Sequence, residues 1–170
     1  MEIRLTADFF KRDVLEVAPE LLGKTLVRVF PDGKQESFII TETEAYRGKE
    51  DLACHASKGR TPRTEVMYHD GGLVYVYLIY GMYWMLNFVT SVENEPQAVL
   101  IRGLKGLNGP GKLTKHIKLD KSFYGENLST SQRLYVIEGL TNIKYNTAPR
   151  IGIDYAGEVW GNMPWRYILI

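Results

Sequence analysis

Between Gly71 and Val92 the chain carries no charged residue, and the run GGLVYVYLIYGMYWMLNFVTSV is crowded with tyrosine. Its length is close to the roughly 20 apolar residues that a membrane-spanning helix needs. Its composition argues against one. Tyr75, Tyr77, Tyr80 and Tyr83 would sit mid-bilayer rather than at the interfaces tyrosine prefers, Gly81 halves the run, and no Lys/Arg cluster flanks it. Val, Ile, Tyr, Trp and Phe instead favour strands. The pattern predicts a β-hairpin turning at Tyr80-Gly81-Met82. Alternation puts Tyr75, Tyr77 and Ile79 on one face, Val74, Val76 and Leu78 on the other, and groups Tyr83, Met85 and Asn87 on the return strand. With both faces apolar, a central place in a covered sheet is expected.

The remaining pattern is strand-rich. Asp13 is placed to cap a helix that Gly23 stops near Leu22, with Pro19 predicting a kink or a later start. Lys24–Phe30 and Glu36–Tyr46 read as strands around a Pro31-Asp32-Gly33 turn. Residues 47–67 read as a long polar loop with a short helix, and Gln97–Leu104 as another strand. Gly109-Pro110-Gly111 opens a basic helix to about Leu119. Leu134–Glu138 and Ile143–Asn146 are shorter strands, and Pro149–Ile170 an apolar closing strand. Strands joined mostly by hairpins predict an α+β fold, a curved and mostly antiparallel sheet with surrounding helices and a protruding hairpin.

At 170 residues the chain is read as one domain, 1–170, with a substantial core. The lone Cys54 forms no internal disulfide, which points to a reducing compartment. MEIRLTADFFKRD lacks an apolar leader region and is read as mature sequence with no targeting signal. The expected location is cytoplasmic or nucleoid-associated, and nuclear in a eukaryote. The net charge of +1 neither favours nor excludes nucleic acid, so distribution matters more. Lys58, Arg60 and Arg63 cluster, and Arg102, Lys105, Lys112, Lys115, Lys118 and Lys121 are opposed only by Asp120. Charge alone is equally compatible with a solvated surface.

Chemistry concentrates in ITETEAY. Alternation places Glu42, Glu44 and Tyr46 on one strand face. Residues two apart on a strand have Cα atoms about 6.6 Å apart, compatible with the carboxyl pair of an inverting sugar hydrolase. Equally, the face is compatible with a solvated edge. His55, His69 and His116 are too few and too scattered for a metal centre, and neither a metal nor a cofactor is expected. Gly109-Pro110-Gly111-Lys112 lacks phosphate-loop spacing but sets free N–H groups and a lysine at a helix start.

Taken together, ETEAYRGKEDLACHASKGRTPR, LVYVYLIYGMYWMLN, AVLIRG, GPGKL and RIGIDYAG…PWRY resemble the alkyladenine (3-methyladenine) DNA glycosylases, in that family's order and over nearly the whole chain. The resemblance implies a monofunctional glycosylase that flips damaged purines out of double-stranded DNA and hydrolyses the N-glycosidic bond. It implies Glu44 as the base that activates water, Tyr46 and Tyr77 as aromatic walls, and His55 covering the base edge. It further implies Asn87 as a screen against guanine's amine, Tyr80 as the wedge that fills the gap, and Arg102 and Lys112 as backbone contacts. Arg60 and Arg63 are assigned to the same surface.

Physical chemistry agrees with that scheme. Extrusion costs a few kcal/mol, and each stacked base returns about 1–3 kcal/mol. A cationic alkylated purine is a good leaving group and is attracted by electron-rich rings. A neutral lesion such as hypoxanthine would also need an acid, which none of these residues supplies. The connection from Arg102 to Gly109 is shorter than in many members, and Glu65 brings negative charge near the expected phosphate path. Two alternatives stand beside this reading. One is a damage-binding module that extrudes without cutting. The other is a nucleoside or glycoside hydrolase using Glu42 and Glu44. A monomer is the default expectation.

Overall fold

The computed structural model describes residues 1–170. Nine strands form one antiparallel sheet: β1 (Thr25–Val29), β2 (Gln35–Arg47), β3 (Val74–Ile79), β4 (Tyr83–Thr90), β5 (Gln97–Leu104), β6 (Leu107–Asn108), β7 (Leu134–Ile137), β8 (Tyr145–Ala148) and β9 (Arg166–Leu169). The main order is β3-β4-β5-β2-β1-β7, with β6 on β5 and β9 joining β8 to β2. Four short helices flank it: α1 (Ala7–Phe10), α2 (Val14–Glu20), α3 (Pro110–His116) and α4 (Gly157–Gly161). The expected α+β class holds. None of the helices is long and apolar enough to cross a membrane.

The long strand β2 organises everything else. Its first half pairs with β1 and its second half with β5 and β9, and an irregularity in register near Glu42 separates the two. Gly103 sits opposite that point. A Cβ there would lie 2.8 Å from Thr41 Oγ1 and 3.1 Å from Glu42 Cβ, so the sheet can bend only around a glycine. Beyond the bulge the faces divide cleanly. Thr43 donates its hydroxyl to the Ala18 carbonyl of α2 at 2.8 Å, while Glu44 and Tyr46 face the opposite way. Asp13 caps α2 through the Leu15 N–H. Pro19 lies inside the helix, in its last turn, and Gly23 (φ 82°) turns the chain toward β1.

The tyrosine run is β3 and β4, joined at Tyr80 (φ 51°), Gly81 (φ 65°) and Met82. Val74, Val76, Leu86 and Phe88 enter the main core. Tyr75, with Met67, Tyr68, Val89 and Ala98, forms a smaller core against which Tyr46 and Tyr77 pack. The expected central position is corrected: β3 is an edge strand. Its outer side is bonded only at its start, where Val74 meets Glu126 and Gly125. Both faces read as buried because one covers the core and the other walls a cleft.

The chain end is also corrected. Within 149–170 only Arg166–Leu169 is strand. Gly152 (φ 74°) and Gly157 (φ 82°) break the extension, and a 3-10 turn (Asp154–Ala156) and α4 intervene. The basic helix stops at His116 rather than Leu119, and the later hairpin strand lies at Tyr145–Ala148.

Candidate active site

The two-faced sheet leaves a cleft of about 360 Å³ between the hairpin, the 51–55 loop and the 151–155 segment. That volume suits a heterocycle and falls at the small end of ligand sites. Tyr46 from β2 and Tyr77 from β3 line it, with Asn87 from β4 and His55 from the loop. The rings of His55 and Tyr77 meet edge to face, centroids 4.5 Å apart. Asn87 is buried and donates Nδ2 to the Tyr75 carbonyl at 3.2 Å. This bond fixes the amide's orientation at the cleft wall.

Glu44 lies just behind that wall with no exposed surface. Its Oε1 accepts from Tyr46 Oη at 2.8 Å and its Oε2 from the Ile151 N–H at 2.7 Å. Arg102 Nε stands 4.0 Å from Oε2. Burial raises the Glu44 carboxyl above the usual carboxylate range, opposed by Arg102, the Ile151 N–H and the Tyr46 hydroxyl. Glu42 is occupied differently, accepting from Arg102 Nε at 3.2 Å and Arg166 Nη1 at 3.1 Å. The space between the two carboxylates is bridged by a guanidinium, where a paired-carboxylate mechanism needs water.

His55 Nδ1 lies 2.8 Å from Tyr75 Oη. Burial first, then Arg63 and Lys58, lower the imidazole to about 4, so it is neutral near pH 7. Behind Tyr46, Arg150 and Asp51 form an ion pair with both side chains fully buried, closest contact 2.6 Å. The Arg150 guanidinium carbon lies 4.9 Å from the Tyr46 ring centroid and 5.0 Å from that of Trp165.

A buried carboxylate beside an aromatic-walled cleft of purine size suits chemistry on a stacked base. The family model for methylpurine-DNA glycosylase matches residues 8–108 and 105–170. The chain belongs to that family. It stands among DNA glycosylases, hydrolases of N-glycosyl bonds that act in DNA repair. It is 44% identical to a protein of Methanocella arvoryzae provisionally assigned as a 3-methyladenine DNA glycosylase, covering 96% of this chain and 90% of that one. Proteins so assigned from Desulfitobacterium hafniense and Natranaerobius thermophilus are 43% and 40% identical. Each covers 98% of this chain, and 95% and 96% of their own lengths are matched.

On this glycosylase-family scaffold the residues expected to meet DNA fall into two groups. Tyr80 is 87% exposed at the hairpin tip and also edges the cleft. Lys112 is exposed on α3, whose Gly111 packs against the Tyr83 ring and so ties the helix to the hairpin. Arg60 is exposed but bonded to both oxygens of Glu65 at 2.7 and 2.6 Å. Arg63 lies over the Tyr77 ring at 5.1 Å. Arg102 is largely buried, lines the cleft and is paired to Glu42, which places it beside the two glutamates rather than free on the surface.

Four participants went unassigned from sequence: Asp51, Arg150, the Ile151 N–H and Tyr155. The last lines the cleft mouth and donates its hydroxyl to the Ala53 carbonyl at 2.9 Å. All lie inside blocks that carry the family resemblance, EDLACHAS and RIGIDYAG, and that was the available signal. Tyr75, grouped from sequence with Tyr77 on one strand face, is buried and also anchors His55.

Proposed function

We propose that this glycosylase extrudes damaged purines, of the 3-methyladenine, ethenoadenine and hypoxanthine class, from duplex DNA and releases them with a Glu44-activated water. The observation that carries this reading is the position of Glu44. It is buried one hydrogen bond behind Tyr46, in a cleft otherwise walled by rings. A module that only bound extruded bases would need the rings but gains nothing from a desolvated carboxylate.

The geometry supports the following order of steps. Tyr80 enters the base stack as the nucleotide swings out. The base slides between Tyr46 and Tyr77 with its edge toward His55, and Asn87 fills the space a guanine amine would need. As the glycosidic bond lengthens, positive charge develops on the sugar. Glu44, ionised and flanked by Arg102, takes the proton of the attacking water, and the bond to C1′ forms as the base departs with the electron pair of the glycosidic bond, a cationic purine leaving neutral and a neutral one taking a proton from solvent. In the free enzyme no solvent reaches Glu44. Base entry therefore has to shift Tyr46 enough to admit the water, which keeps the carboxylate unavailable until the cleft is filled.

The deciding experiment incubates the protein with duplexes carrying ethenoadenine, hypoxanthine or 3-methyladenine at stated salt, because phosphate contacts make affinity steeply salt-dependent. Release of free base, unaffected by EDTA, supports the reading. Intact duplexes under conditions of demonstrated binding would leave a damage-binding module in its place.

A further inference from the structure

The Arg150–Asp51 pair is a charged group that the excision steps leave without a task. Desolvating such a pair costs several kcal/mol per ion, and apolar replacements are often as stable or more so. Stability alone is thus a weak reason for it. What the pair touches is more telling. Arg150 Nη1 donates to the Ala45 carbonyl at 2.9 Å, on the peptide that joins Ala45 to Tyr46. Nη1 and Nη2 bond the two Asp51 oxygens at 2.6 and 2.9 Å, and Nη2 also reaches the Trp160 carbonyl at 3.1 Å. Asp51 in turn accepts from the N–H groups of Arg47 and Ala53, fixing the loop that leads to His55. The next residue, Ile151, orients Glu44. One guanidinium therefore ties together the strand of the base, the loop of the histidine and the segment that holds the carboxylate.

Its placement adds an electrostatic consequence. Tyr46 lines the cleft and Arg150 does not, so the guanidinium lies on the protein side of that ring. A cation held there draws π density away from the face offered to the base. We propose that Arg150 is a positioning and specificity-determining residue: clamped by Asp51, it sets the plane of Tyr46 and weakens that ring's attraction for cationic purines, so that neutral damaged purines compete on more equal terms. This rests on the proposed excision reading.

The test compares single-turnover efficiency on a 3-methyladenine duplex, a cationic base, with that on a hypoxanthine duplex, a neutral one. Arg150→Gln with Asp51→Asn removes both charges and keeps hydrogen-bonding shape. The cationic-to-neutral ratio should rise about fivefold, in the range expected of a cation–π contact. Asp51→Asn alone leaves the guanidinium uncompensated and should lower the ratio. Arg150→Lys keeps the charge but not the planar stack; it should raise KM for both substrates and leave the ratio unchanged. Thermal melting and affinity for undamaged duplex verify folding of each variant. Equal loss on both substrates in the neutral pair and in Asp51→Asn would overturn the proposal and reduce Arg150 to scaffold. A ratio moved as far by Arg150→Lys would overturn it too. Glu44→Gln is run alongside. If it still releases base, the reading of the site has failed, and not the role of Arg150.

Discussion

The Tyr46 hydroxyl donates to Glu44 Oε1 at 2.8 Å, so the ring that walls the cleft also holds one oxygen of the carboxylate. Removing that hydroxyl separates the two roles. Tyr46→Phe keeps the ring, and base affinity should change less than about threefold. It also removes a bond that favours the ionised carboxylate. The acidic limb of the single-turnover pH profile should therefore move to higher pH. The other charged or titratable groups that bear on Glu44 are Arg102, Arg150, Tyr77 and Tyr155. Glu42 and Arg166 stand next to Arg102. All of these are unchanged in the variant. A limb that stays in place counts against Glu44 as the titrating base.

Glu44→Gln and Glu42→Gln should differ sharply. The first should lower excision by about 10²- to 10⁴-fold, the usual worth of a general base. The second frees Arg102 from one partner but leaves it beside Glu44, and activity should stay within about tenfold of the parent. Rates on ethenoadenine duplex decide it. Equal losses would revive a two-carboxylate mechanism.

Burial gives Glu44 a stability signature as well. Its folded-state pKa is raised, so the native state binds the extra proton, and stability falls as pH rises from the unfolded value through the folded one. Above that window the ionised carboxylate is a standing cost. Glu44→Gln should therefore melt higher than the parent at neutral pH, with the advantage shrinking toward pH 4. Melting curves from pH 4 to 8 test this. A constant offset across the range would contradict it.

At the hairpin tip, Tyr80→Ala should impair release from duplex far more than from an already unpaired base, because only the duplex needs a wedge. Equal effects on both substrates would argue against that role. Tyr80 also holds φ 51°, a left-handed conformation costing a side chain roughly 1–2 kcal/mol. Tyr80→Gly should thus raise the melting temperature while losing duplex capture.

Tyr75→Phe removes the partner of His55 Nδ1. Stability should fall by about 1 kcal/mol, the net worth of one hydrogen bond. Capture of the base should weaken severalfold at unchanged affinity for undamaged DNA, read by titration with damaged and undamaged duplexes.

Where local chemistry sets local structure, the chain could be read directly. Alternation and β-branched content located the hairpin, Gly81 its turn, Asp13 a helix cap, and the strand period put Glu42, Glu44 and Tyr46 on one face. What escaped depends on distant partners. Arg150 lies between Pro149 and Ile151 and looks like any solvated arginine, because Asp51 is 99 positions away. The edge position of β3 was hidden because a cleft wall and a core wall are both apolar. The Glu65 charge looked adverse to DNA, whereas in the fold Arg60 and His69 both bond it. Burial of Glu44 could not be read from ETEAY, where two glutamates look equally wet.

The half-bonded outer side of β3 has a further consequence. Past Val74 this strand offers main-chain groups with no protein partner, beside exposed Leu78 and Met82 and with no charged residue in the strand itself. Such a margin is a template for another strand. Two copies meeting there at high concentration would pair edge to edge, covering the hairpin proposed to probe the duplex. The short length of the strand and its sharply wound tip restrain that self-association, and a bound duplex would shield it, so purification and storage with DNA fragments should keep the protein dispersed.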